Sequence, residues 1–523
     1  MSLLKERTVF LFIAAALVFG AAYRLFPVIA GPPALAQFFM TEDGYLMLTI
    51  ARNMAIGLGM SVSDGTIPSN GVQPLATFLF ALPYLLTGGD KTGGLVGVHL
   101  ISVVISVAAV FSVRALARDV LRPQDPSPLW PWLVAALWFV SPLLLLHTMN
   151  GLETGLYTLM VTVTLLLFGR LLARGEAATM RDRLILGGAC GVTFLARNDA
   201  VFLITAIFAV WAVHDLVTLR RSLADVVLRL IPPGLLSVAL AAPWLINNYL
   251  NFGSIVPISG AAEARGTSFA AHADLLPAKL FELFFPMLPV PGALERNPVF
   301  MAVALLLVAV IVLSFLVGVW RRGGVMRYVI GAYVLFALAI CFYYGFTFGA
   351  PWFLSRYLSP LAPLAIIASI SVLIGLAQRL APGNGAALVR LLGVAGLALS
   401  VALLARFLVP GAREQGHFQV VEWVQQNVAD EAWVGAIQTG TLGYWHDRTI
   451  NLDGKVNPDA LRALQEEGNV LDYVLNSPIE YLADWHGIAT WTTTGNMGNT
   501  AFSDSFEVVV EDPARNLGVL KRK

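Results

Sequence analysis

Residues 38–60, FFMTEDGYLMLTIARNMAIGLGM, place two carboxylates side by side, Glu42 and Asp43, just past an apolar segment. A carboxylate at a membrane edge suits general-base chemistry, in which it takes the proton of a hydroxyl whose own pKa is high. The same pair also fits the first turn of a helix capped by Thr41, where the backbone dipole favours negative charge. The two readings are compatible. Side chains of adjacent helical residues diverge by about 100°, so only one of the two readily faces a given cavity.

Other ionisable groups stand at corresponding depths in distant parts of the chain: His147 and Glu153, Arg197 and Asp199, and Arg356 in PWFLSRYLSP. Charged groups at the ends of membrane spans are costly and are functional candidates by default. Acids and bases converging from separate loops suit a site that holds an anionic lipid and activates a nucleophile. Each also has a plainer reading. Glu153 caps the helix that follows it, Arg356 snorkels to headgroups, Arg197 and Asp199 pair with each other, and His147 packs in the core.

These residues need a membrane scaffold to position them. The 523-residue chain is 57% hydrophobic and 13% charged, against roughly 25% charged in soluble domains. Its mean hydropathy is +0.73. The apolar stretches are too many and too long for a signal peptide or a single anchor. A net charge of +1 says nothing about partners, and no basic block points to nucleic acid, so no nucleic-acid partner is expected. The two cysteines, Cys190 and Cys341, lie in apolar segments, so a disulfide framework is not expected.

Hydropathy and Lys/Arg placement order the spans. Lys5 and Arg7 put the N-terminus inside. About eleven spans follow, near 8–24, 95–117, 131–148, 154–172, 184–196, 200–217, 231–249, 298–319, 328–348, 358–378 and 387–409. Inner ends then collect Arg118, Arg174, Arg183, Arg221, Arg322 and Arg379. The outer loops, 31–74 among them, collect the acids. Residues 74–86 are short for a span and read as a re-entrant or interfacial helix. After Pro410 the composition turns polar and mixed. The reading is therefore a polytopic α-helical membrane domain, 1–410, followed by a soluble α/β or α+β domain, 411–523, on the face that carries Asp43.

The acidic pair, the helix GYLMLTIARNMAIGLGM and the turn NGVQPL resemble the GT-C superfamily of polytopic glycosyltransferases. Later stretches are similar to the same family: MNGLETGLY, FLARNDAVFL, NNYLNFGSIVPIS, WFLSRYLSPLAPL and GTLGYWHDRTINLDGKVN. The protein O-mannosyltransferases, the lipid A aminoarabinose transferase and the arabinofuranosyltransferases share this layout. The chain departs from them in having Glu-Asp where relatives have Asp-Asp or Asp-Glu, and Gly44 where Ala is frequent.

The resemblance implies a polyprenyl-phosphate sugar donor and transfer with inversion to a glycan, lipid or protein acceptor at the outer face of a bacterial inner membrane. It makes Asp43 the base, with Glu42 in support and Glu153 as the second-loop acid. Gly44 would give an acceptor room beside the backbone. Arg356 and Arg197 are the candidate donor-phosphate ligands, since charge developing on a leaving phosphate needs a nearby cation. The remaining polar residues of the matching stretches are substrate-binding candidates: Tyr45, Arg52, Asn70, His147, Asn150, Asp199, Tyr357, Asp453 and Lys455. The second loop has no D-x-D, so no metal is carried over, and a divalent ion stays open. Two other classes fit a membrane chain with such charges, an O-antigen ligase or polymerase and a lipid or sugar flippase. The latter typically shows inverted repeats, and none is visible here.

Overall fold

The computed structural model describes residues 5–265, 267–348, 351–381, 384–409, 418–488 and 499–523. Among these, nine helices are long and apolar enough to cross a membrane, or ten if the bent pair Leu129–Phe139 and Pro142–Met149 is one span. The expectation was about eleven. The eleventh is Met180–Ala196, whose 17 residues reach about 26 Å, at the short end of what crosses a hydrocarbon core of about 30 Å. It runs from the Arg183 end to Arg197, which lines a cavity.

The bent pair turns through 64°. Pro142 opens its second helix, where a missing amide costs nothing, and the Ser141 hydroxyl accepts the Leu144 amide at 3.4 Å. The Phe139 carbonyl at the break accepts Nη2 of Arg24 at 3.0 Å. Arg24 is fully buried on the first helix, Glu6–Ala30, so an intramembrane guanidinium satisfies a carbonyl that the break leaves over.

Helix Pro74–Leu86 does not cross. The loop before it passes Lys455 so closely that a Cβ on Gly71 would lie 2.1 Å from the Lys455 carbonyl oxygen. Just beyond its far end, Lys91 pairs with Asp447 at 3.1 Å and its carbonyl accepts the Tyr444 hydroxyl at 2.7 Å. Both ends therefore meet the C-terminal domain, which makes the segment re-entrant or interfacial.

Two short strands, β1 (Ser61–Val62) and β2 (Ile67–Pro68), form a hairpin in the first long loop. The C-terminal domain is built on β3 (Val434–Ala436), β4 (Thr449–Asn451), β5 (Tyr481–Asp484), β6 (Phe506–Asp512) and β7 (Leu517–Arg522), in the order β4-β3-β5-β7-β6. β3 lies parallel to β4 and β5, and β7 runs antiparallel to β5 and β6. The expected boundary near 410 lies outside the described residues. Cys190 and Cys341 are both free.

Candidate active site

Helix Glu42–Ala55 begins at the cap that the sequence suggests: Thr41 Oγ1 accepts the Gly44 amide at 3.2 Å and donates to the Asn150 carbonyl at 3.2 Å. That cap fixes Asp43 in the first turn, at the edge of a cavity of about 330 Å³. Its walls include the loops around 71–73 and 152–153, the turn 197–199, the segment 256–263, the aromatic stretch 343–348, and Lys455 from the C-terminal domain. Seven predicted residues meet there: Asp43, Glu153, Arg197, Asp199, Arg356, Tyr357 and Lys455.

Asp43 is bridged by two cations. Oδ2 accepts Nη1 of Arg356 at 2.8 Å, and Oδ1 lies 3.6 Å from Nζ of Lys455. Burial alone would raise the Asp43 pKa, but Lys455 and Arg356 more than reverse it, and the carboxyl sits below its usual range. Lys455 also lies 2.8 Å from Glu263 and 3.8 Å from Asp453. Burial would lower the ammonium pKa, yet Asp43, Asp453 and Glu263 outweigh it and hold Lys455 charged. Arg356 packs over the Phe353 ring at 4.4 Å, which orients its planar fork.

Arg197 forms a second, more enclosed cluster. Its Nε lies 3.2 Å from Asp199 and 3.7 Å from Glu153. Nη2 donates to the Tyr344 hydroxyl at 3.1 Å, which in turn donates to Asp199 at 2.7 Å. The Tyr344 and Tyr357 rings stack at 4.1 Å, and the Arg197 guanidinium lies 4.9 Å from the Tyr357 ring. The Arg197–Asp199 pairing read as the plainer alternative is present. Nε and Nη2 of this guanidinium are committed to two carboxylates and a phenol, while Nη1 is buried without a hydrogen-bond partner.

The other predicted residues stand apart from the cavity. Glu42 points the opposite way, to Thr441 of the C-terminal domain. The Thr441 amide donates to its Oε2 at 3.1 Å and the Thr441 hydroxyl donates to Oε1. Burial pushes the Glu42 carboxyl up to about 7 despite these bonds. Tyr45 donates from the core to the Ala36 carbonyl at 2.7 Å. Arg52 donates to the Gly89 carbonyl at 2.8 Å and pairs with Asp447 at 3.2 Å. Asn150 closes its own turn, accepting the Leu152 amide at 3.2 Å. His147 is not among the residues that line the cavity, and its Nε2 is buried. Asn70 accepts the Ile258 amide at 3.1 Å and so tethers the segment that carries Glu263. Asp453 stands behind Lys455, its carboxyl raised by burial.

Gly44 has a different use from the one expected. A Cβ there would fall 2.1 Å from the Asn150 carbonyl oxygen. The missing side chain lets the helix meet that turn, and it opens no path for an acceptor.

Sequence reasoning missed Glu263 and Tyr344. Glu263 lies on the short helix Ile258–Ala264, in a long stretch between spans whose sequence has no clear periodicity. Tyr344 lies in the π-helical stretch Tyr343–Thr347, within an apolar run that reads as ordinary span. Among the described residues no three carboxylates, imidazoles or thiols converge as a metal site. The nearby acids Asp43, Glu153 and Asp199 are each held by a cation, so the donor set does not fit a divalent ion.

A family model described as a domain of unknown function (DUF8728) matches residues 406–509. No curated protein matches the chain. Solved structures do. ArnT from Cupriavidus metallidurans bound to undecaprenyl phosphate superposes with a TM-score of 0.57 at 15% identity, covering 98% of this chain and 97% of that one. The Archaeoglobus fulgidus oligosaccharyltransferase tethered to an acceptor peptide containing the NVT sequon superposes with a TM-score of 0.56 at 12% identity, covering 98% and 74%. The chain has the polytopic fold of these two proteins over nearly its whole length.

Proposed function

We propose that the protein is an inverting glycosyltransferase that moves a sugar from a polyprenyl-phosphate donor to a hydroxyl of an envelope glycan, lipid or protein. The observation that carries this reading is Asp43 held between Arg356 and Lys455 at the cavity wall. The fold it shares with ArnT, which was crystallised with undecaprenyl phosphate, supports a lipid phosphate as the anion those cations await.

In the proposed step the acceptor oxygen bonds to the anomeric carbon while the bond from that carbon to the phosphate oxygen breaks. The electron pair leaves with the phosphate, and the hydroxyl proton passes to Asp43. A single displacement inverts the anomeric centre. Arg356 and Lys455 stabilise the charge that grows on the phosphate. The Tyr344–Tyr357 stack offers a flat surface to the sugar. Phosphate bound between Arg356 and Lys455 also neutralises the cations that hold Asp43 low, so the base strengthens when the donor is in place.

The arginine alternation favours a cytoplasmic N-terminus in a bacterial inner membrane, with cavity and C-terminal domain outside. The test is full-length protein in nanodiscs with undecaprenyl-phosphate-linked mannose, glucose and arabinose. Release of undecaprenyl phosphate from at least one, slow without acceptor, is the expected result. Lipid translocation with no cleavage of any donor would replace the transferase by a flippase.

A further inference from the structure

The C-terminal domain grips the residue before Asp43 on the side opposite the cavity. Thr441 supplies both an amide and a hydroxyl to the Glu42 carboxylate. Gly440 comes so close that a Cβ on it would fall 1.9 Å from the Glu42 carbonyl oxygen. Helix Gly440–Trp445 is thereby seated on the start of helix Glu42–Ala55. The seat continues inward: the Tyr444 ring packs 4.9 Å from Tyr45, and the Tyr444 and Tyr84 hydroxyls bond at 2.9 Å. The first turn of a helix lacks intrahelical partners for its amides and frays unless held. Here Thr41 holds it to Asn150 on one side and Thr441 holds it on the other.

We propose that Thr441 is a positioning residue for glycosyl transfer, acting through Glu42 to set the direction in which the neighbouring Asp43 carboxylate enters the cavity. The C-terminal domain then completes the active site twice, with Lys455 on the cavity face and Thr441 behind it. The proposal rests on Asp43 being the base. Displacing a reacting group by about 1 Å costs on the order of 100-fold in rate, so a modest loosening of this turn is readable.

The experiment compares Thr441→Val, Thr441→Ser and Asp43→Asn in the full-length protein, using the undecaprenyl-phosphate sugar that the wild type cleaves. Valine keeps the shape and the amide but loses the hydroxyl, and serine keeps the hydroxyl. Thr441→Val should lower the single-turnover rate by about 10- to 100-fold with affinity for undecaprenyl phosphate unchanged, and Thr441→Ser should restore the rate. Glu42→Ala removes the same bonds from the other side and should reproduce the loss, which covers the case in which Thr441→Val does not fold. Wild-type rate in Thr441→Val or Glu42→Ala beside an inactive Asp43→Asn overturns the positioning role and leaves the base in place. Loss of rate and lipid affinity together, or failure of serine to restore the rate, reduces Thr441 to a packing residue and also overturns the proposal. A fully active Asp43→Asn removes the base assignment and the proposal with it.

Discussion

Arg356 donates to Asp43 at 2.8 Å across 313 positions of sequence. The contact joins the first turn of helix Glu42–Ala55 to the short helix Leu354–Leu358 and pairs the proposed base with the proposed phosphate ligand at the cavity wall. A donor phosphate must compete with Asp43 for Arg356. The two proposed roles are therefore coupled and separable by substitution.

For Arg356, we predict that Arg356→Ala weakens undecaprenyl phosphate binding by about 10-fold or more, the scale of a lost charge-assisted bond. Arg356→Lys keeps the charge, loses the fork and should lie between the two. Isothermal titration in nanodiscs measures both. Unchanged affinity in Arg356→Ala would shift the phosphate to Lys455.

Arg197 should behave as structure. Removing it leaves Glu153 and Asp199 as uncompensated buried charges, a change worth about 3–5 kcal/mol of stability. Arg197→Ala should lower the melting temperature markedly, in contrast to Arg356→Ala. A well-folded Arg197→Ala that has lost only lipid affinity would return Arg197 to the phosphate.

Glu42 gives a prediction with a definite pH sign. Its folded pKa of about 7 lies above the ordinary 4.5, so between those values the folded state holds a proton that the unfolded state has released. Stability from this group therefore falls as pH rises through that window. Glu42→Gln carries no charge there, so its melting temperature should gain on the wild type between pH 5 and pH 8. A difference that stays constant with pH would mean that Glu42 titrates normally.

Topology is tested by single cysteines at Lys91, Gln426 and Ser503, in a background with Cys190 and Cys341 replaced by alanine. All three should react with an impermeant thiol reagent from the outer face, because Lys91 is paired with the C-terminal domain. Labelling of position 91 only from the cytoplasm would contradict the non-crossing helix Pro74–Leu86.

Much of this was legible because membranes impose simple rules. Hydropathy located the spans, and the resemblance of the first long loop to the GT-C pattern pointed to Asp43. What stayed hidden depends on packing between distant segments. Glu42 and Asp43 differ by one residue, and only the docking of Thr441 decides which of them leaves the cavity. Lys455 was read from the tail, but its approach to Asp43 required the domain to fold back onto the helix Glu42–Ala55. Arg197 and Arg356 look alike in sequence as arginines near span ends. The acids around Arg197 make one a wall, and the open side of Arg356 makes the other a ligand candidate. Gly44 was misread for the same reason, since the turn at Asn150 that it meets lies in a separate loop.

The central claim is that Asp43 is the base. Asn is nearly isosteric and keeps a polar acceptor for Arg356, so Asp43→Asn should fold and bind undecaprenyl phosphate. A base of this kind contributes about 10²–10⁴ in rate. The most direct measurement is single-turnover transfer by Asp43→Asn with a saturating polyprenyl-phosphate sugar, beside its melting temperature. The account predicts a loss of that size with lipid binding retained. Wild-type turnover in folded Asp43→Asn would contradict it.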